Sequence, residues 1–174
     1  MKLRQFVFIA ALLTAASIAG SGVHPQGLVD GVRPAGNDVV DLNGLPDVEF
    51  GDTEEDLTRR GLLQAGVDAC GRTLAGHAAS PVFVDDRLVL LWVDDPFRTP
   101  EGISVGASVE EVRARYRTLH RLRAPQGTHR FDGLLARSGD RAYLFLHDGR
   151  TVRKIVAGYA DWARRLFDEG HGPC

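Results

Sequence analysis

The 174 residues carry 21 basic and 23 acidic side chains, a formal net charge of -2. That weakly acidic balance speaks against nucleic acid as a partner, because phosphate neutralisation needs a surplus of Lys and Arg. Only Lys2 and Lys154 are lysine, the rest of the basic residues being arginine in a chain rich in Ala, Gly and Val, which is the composition of a GC-rich genome.

Lys2 and Arg4 precede an uncharged stretch over residues 5–22, whose apolar heart runs from Phe6 to Leu13. A charged start, a short apolar run and the small residues of Ser17-Ile18-Ala19 predict a signal peptide over 1–19, cleaved after Ala19, with Gly22 as the second choice. The run is shorter than the ~20 residues that span a bilayer, and no Cys stands nearby to carry a lipid. The mature chain is therefore expected to be secreted, with no stable membrane anchor. Cleavage leaves 19 basic against 23 acidic residues, a net charge of -4. About 155 residues suit one domain. In an exported chain the two cysteines, Cys70 and Cys174, are expected to form a disulfide, closing a loop worth ~4.7 kcal/mol in the chain-entropy view.

Residues 20–44, with Pro25 and Pro34 and no hydrophobic period, predict a flexible leader. The domain is expected over 45–174, as two similar halves of about 45–97 and 98–174. Thr53 caps a first helix that carries Leu57, Leu62 and Leu63 and stops by Gly66. Residues 81–93 are strand material with a turn around Asp85-Asp86-Arg87. Ser108 and Glu111 form an S-x-x-E capping box for a second helix, with Val109, Val112, Tyr116 and Leu119 on one side and Arg113, Arg117 and Arg121 on another. Three strands follow, over about 129–136, 141–147 and 150–157, with Asp148-Gly149 as a hairpin turn. Tyr159, Trp162, Ala163 and Leu166 line one side of a closing helix, with Gly170 beyond it.

Gly51-x-Thr53-x-Glu55-x-Leu57 matches Gly106-x-Ser108-x-Glu110-x-Val112 at an offset of 55 positions, and Val82-Phe83-Val84-Asp85-Asp86 matches Leu144-Phe145-Leu146-His147-Asp148 at 62. The fold class expected is α+β, an antiparallel sheet packed on one face by short helices, as two helix-plus-meander repeats. The helix start over residues 103–112, with a weaker copy over 48–57, resembles the module of the beta-lactamase-inhibitor-like and SmpA/OmlA lipoprotein families. It also resembles uncharacterised secreted proteins of actinobacteria, through Thr99 to Gly106. The resemblance implies a non-enzymatic module that binds another protein through its sheet, and it lends no catalytic residue.

The six histidines show no metal-ligand spacing, so neither a metal nor a cofactor is expected. His129 and His147 are candidates to meet Asp132 or Asp148 on adjacent strands, which would suit a small secreted hydrolase. The row Arg113, Arg117, Arg121, with Arg115 and Arg123 nearby, would suit an anionic envelope polymer. Along 141–147, Ala142, Leu144 and Leu146 point one way, Tyr143 and Phe145 the other. If the aliphatic face packs the helices, Phe131, Tyr143, Phe145 and Trp92 are left to form an exposed binding face; the alternative is that both faces are covered, by the closing helix with Trp162 and Phe167 for instance. The expected protein is thus a monomer, without enzymatic activity, that engages an extracellular or envelope protein through that face.

Overall fold

The computed structural model describes residues 38–65 and 72–170. The expected signal peptide, most of the leader and both cysteines lie outside the described residues.

The fold is α+β. A small hairpin of β1 (Gly44–Leu45) and β2 (Val48–Glu49) leads to α1 (Glu54–Arg59), then to a ribbon of β3 (Leu63–Ala65) and β4 (Arg72–Leu74). The main sheet holds β5 (Ala79–Val84), β6 (Arg87–Val93), β7 (His120–Leu122), β8 (Asp132–Ser138), β9 (Arg141–His147) and β10 (Val152–Tyr159). Its order is β5-β6-β10-β9-β8-β7, antiparallel throughout. Two further helices are α2 (Val109–Arg115) and α3 (Ala160–Glu169).

Both early helices begin as their sequences dictate. The Thr53 hydroxyl accepts from Asp56 N, and Ser108 exchanges both capping-box bonds with Glu111. These bonds satisfy amides that a helix start leaves without an intrahelical partner. The closing helix ends at Gly170, whose left-handed backbone suits the residue after a helix.

Two expectations about helix length are corrected. The first helix ends at Arg59, and Leu63 begins β3 instead of a last helical turn. The second ends at Arg115, because Tyr116 turns to an extended conformation at φ -108°, ψ 111°. Its ring lies 5.2 Å from that of Phe145 and 5.9 Å from that of Tyr143, and its hydroxyl donates to Glu101 Oε2 at 2.5 Å. Packing on the sheet thus overrides the helical period, and residues 120–122 become β7. The domain also starts earlier than expected: Val40 is buried and donates its amide to Arg98 O at 3.0 Å, so residues 38–44 belong to it and not to a leader.

The two halves repeat a local hydrogen-bond pattern. Gly51 N donates to Leu88 O and Leu88 N to Asp52 O; Gly106 N donates to Val152 O and Val152 N to Ala107 O, all at 2.9 Å. Each strand then carries an extra residue at the same place, Val89 in β6 and Arg153 in β10. Helix starts are 55 positions apart, as the sequence match has it, but the hairpins are 64 apart, the distance from Leu88 to Val152, not 62. Each half runs from a helix through two strands to a long hairpin, but β3 and β4 are short and form a separate ribbon, while β8 has seven residues and joins β7 in the main sheet.

The helices do not keep to one face. Leu57 of α1 and Val109 and Val112 of α2 pack with Leu91, Val93, Leu134, Tyr143, Phe145 and Ile155. Ala160, Ala163 and Phe167 of α3 pack with Leu90, Trp92, Leu135, Leu144 and Val156 on the other side. Both faces of the sheet are therefore core, which is why its strands read as apolar on both sides.

Candidate functional site

The expected aromatic binding face is not a surface. Tyr143 is 2% exposed, Phe145 0% and Trp92 6%. Tyr143 donates its hydroxyl to Val40 O at 3.0 Å, so the segment entering the domain covers this face together with α1, α2 and Tyr116. Burial also pushes the hydroxyls of Tyr116 and Tyr143 well above the usual tyrosine range. Phe131 and Trp92 belong to the opposite, α3 side, where Phe131 is half-buried. The four residues are thus divided between the two faces and do not form one patch.

His147 and Asp132 do meet. They stand opposite each other across β8 and β9, while His129 is exposed and outside any strand. The His147 Nδ1 accepts from Gly149 N at 3.0 Å, which leaves the proton of the neutral ring on Nε2. Burial, aided by the Arg113 charge, holds its pKa below the usual histidine value against the pull of Asp132 and Asp148. Asp132 is itself engaged, accepting from Ala124 N at 2.9 Å. Asp148 accepts from Arg150 N and Thr151 N and pairs with Arg153, which keeps its carboxylate well below the usual range. Among the described residues no three His, Cys, Asp or Glu side chains are grouped to hold a metal ion. This arrangement locks a hairpin turn.

The arginine row does not lie along one helix. Arg113 and Arg115 are in α2, Arg117 follows it, and Arg121 is in β7. Among the described residues no helix is long and apolar enough to cross a membrane.

The open apolar feature lies where α3 passes the edge of the sheet. A groove of about 360 Å³ is lined by Val82 and Val84 of β5, Leu90 of β6, and Trp162 and Leu166 of α3, with Arg165 and Glu169 at its rim. A second depression shares Val84 and Trp162 and continues it past Val89 and Tyr159 toward Gly51 and Arg87. Val82, Val84, Trp162 and Leu166 are all half-exposed. The helical spacing of Trp162 and Leu166 is visible in the sequence, but it reads equally well as core. Their position at the margin, beyond fully buried Ala163 and Phe167, is a tertiary outcome. The chain matches no protein-family model, no curated protein and no solved structure.

Proposed function

We propose that the chain is an exported, non-enzymatic binding protein that holds a protein partner in the groove between α3 and β5. The groove carries the reading: it offers half-exposed Val82, Val84, Trp162 and Leu166 in a concave strip beside an edge strand, and a large aromatic in such a setting is a typical energetic anchor. The succession of helix and four strands, twice, is in keeping with the beta-lactamase-inhibitor-like and SmpA/OmlA resemblance of the helix starts. Partner engagement is then assigned to the sheet margin, since both faces are filled. The signal-like N-terminus supports binding in the extracellular space or cell envelope, and an oxidising compartment would suit a Cys70 to Cys174 disulfide.

The test is capture of envelope and secreted proteins by the purified chain, compared with Leu166→Glu and Trp162→Ala variants. Loss of one defined partner in both, with unchanged thermal melts, supports the groove. Capture that is unaffected by either change refutes it. Under non-reducing conditions the intact mass is expected about 2 Da below that of the dithiol.

A further inference from the structure

Residues 113–130 contain six arginines and no acidic residue, in a chain whose net charge is negative. Elsewhere Arg59, Arg60, Arg72, Arg137, Arg141, Arg153, Arg164 and Arg165 each sit in an ion pair. By contrast Arg113, Arg115, Arg117, Arg121 and Arg123 are all exposed, and none makes an ion pair or side-chain hydrogen bond with a described residue. Unpaired like charges repel, so gathering them costs stability unless an anion joins them.

The fold brings them to one margin. Arg115 and Arg117 share the lining of a cavity of about 310 Å³ with Thr118, Arg137 and Ser138, and with Glu101, whose carboxylate accepts from the Tyr116 hydroxyl. Arg121 stands opposite Leu134, a core residue on the α2 side of the sheet. Asp132 of β8 holds the amide of Ala124 beside Arg123, which fixes the chain leaving β7. Through the middle runs β7, the last strand of the sheet, whose outer edge makes no backbone hydrogen bond with a described residue.

We propose that this margin docks an extended acidic segment of a partner protein, its backbone adding beside β7 and its carboxylates received by Arg117, Arg121 and Arg123. The free strand edge is what favours a peptide over a polyanion without amides, because only a peptide can continue the ladder. Guanidinium groups suit carboxylates by forked, two-point hydrogen bonding. This surface is separate from the α3 groove and does not depend on it.

The experiment uses fluorescently labelled decapeptides of alternating Glu-Val and Lys-Val, with inorganic polyphosphate as the amide-free polyanion. The Glu-Val peptide is expected to bind, the Lys-Val peptide not. Affinity should fall about tenfold or more in Arg117→Glu/Arg121→Glu, and also with added salt. Amide exchange at residues 120–122 should slow in the complex. A melt checks that the double variant is folded, and Arg117→Gln/Arg121→Gln replaces it if not. Failure of the Glu-Val peptide to bind overturns the proposal and leaves the arginines as guards of an exposed edge. Binding without protection of β7, or matched by polyphosphate, overturns it in favour of a polyanion surface.

Discussion

Trp92 lies directly across from Val156 in the centre of the sheet, and Val156 is also its counterpart in the second half, 64 positions later. The two halves therefore meet through equivalent strands, β6 and β10, in antiparallel pairing about that residue pair. An antiparallel join of like strands makes one continuous sheet with a shared core on each face. It also places the first half's outer strand β5 at one edge and the second half's β7 at the other, where the groove and the arginines lie.

Burial makes Tyr143 and Phe145 residues of stability. Phe145→Ala is expected to cost roughly 3–5 kcal/mol, the usual range for emptying a packed aromatic site. Tyr143→Phe removes only the bond to Val40 O and should cost about 1 kcal/mol. Urea unfolding of the two variants checks both the size and the order of the effects. A Phe145→Ala protein with unchanged stability would contradict the core position.

Gly158 is required by close approach. It has φ 141°, and a Cβ on it would stand 2.3 Å from Val89 O, the carbonyl of the extra residue in β6. Gly158→Ala should destabilise by more than about 1 kcal/mol, since both backbone and contact must shift. Gly139→Ala, with nothing within 4 Å of the new Cβ but a left-handed φ of 62°, isolates the conformational part. The melting temperature should fall further for Gly158.

The caps provide a paired comparison. Ser108→Ala and Thr53→Ala should each cost about 1 kcal/mol, and Ser108 the more of the two, because it closes a full box with Glu111. The sites share no hydrogen-bond partner, so the double variant should show the sum. Chemical denaturation of all three proteins measures this.

His147 should give the domain an acid-sensitive limb. Its folded-state pKa lies below the ordinary 6.5, so the unfolded chain takes up the proton first as pH falls. The stabilising contribution of the neutral ring is complete above pH 6.5 and is lost progressively below it, down to the folded-state pKa. Phe83 holds the counterpart place in the first half. His147→Phe should therefore keep the fold and flatten the fall in melting temperature between pH 7.5 and 5.5.

Much of the fold is legible in the residues because its signals are local. Ser108 with Glu111 announces a helix start wherever the chain goes, and Asp148-Gly149 announces a reversal. Strand 141–147 is read to its last residue, because alternation and two flanking turns bound it. The short strands are not legible: Leu119 and Arg121 continue a helical spacing that only the docking of Tyr116 on Phe145 breaks. The burial of the aromatic face is not legible for a related reason, since alternation separates Tyr143 and Phe145 from Leu144 and Leu146 without saying what covers either set.

The sequence by itself determined the α+β class, the two capped helices, the hairpins and their likeness to each other, since each depends on neighbours within a few positions. Only the tertiary structure decided that β6 and β10 pair, that residues 38–50 and α2 fill one face and α3 the other, and that Trp162 and the arginines beside β7 remain at the margins. Burial depends on segments a hundred positions apart, as the bond from Tyr143 to Val40 shows, and no local pattern carries that information.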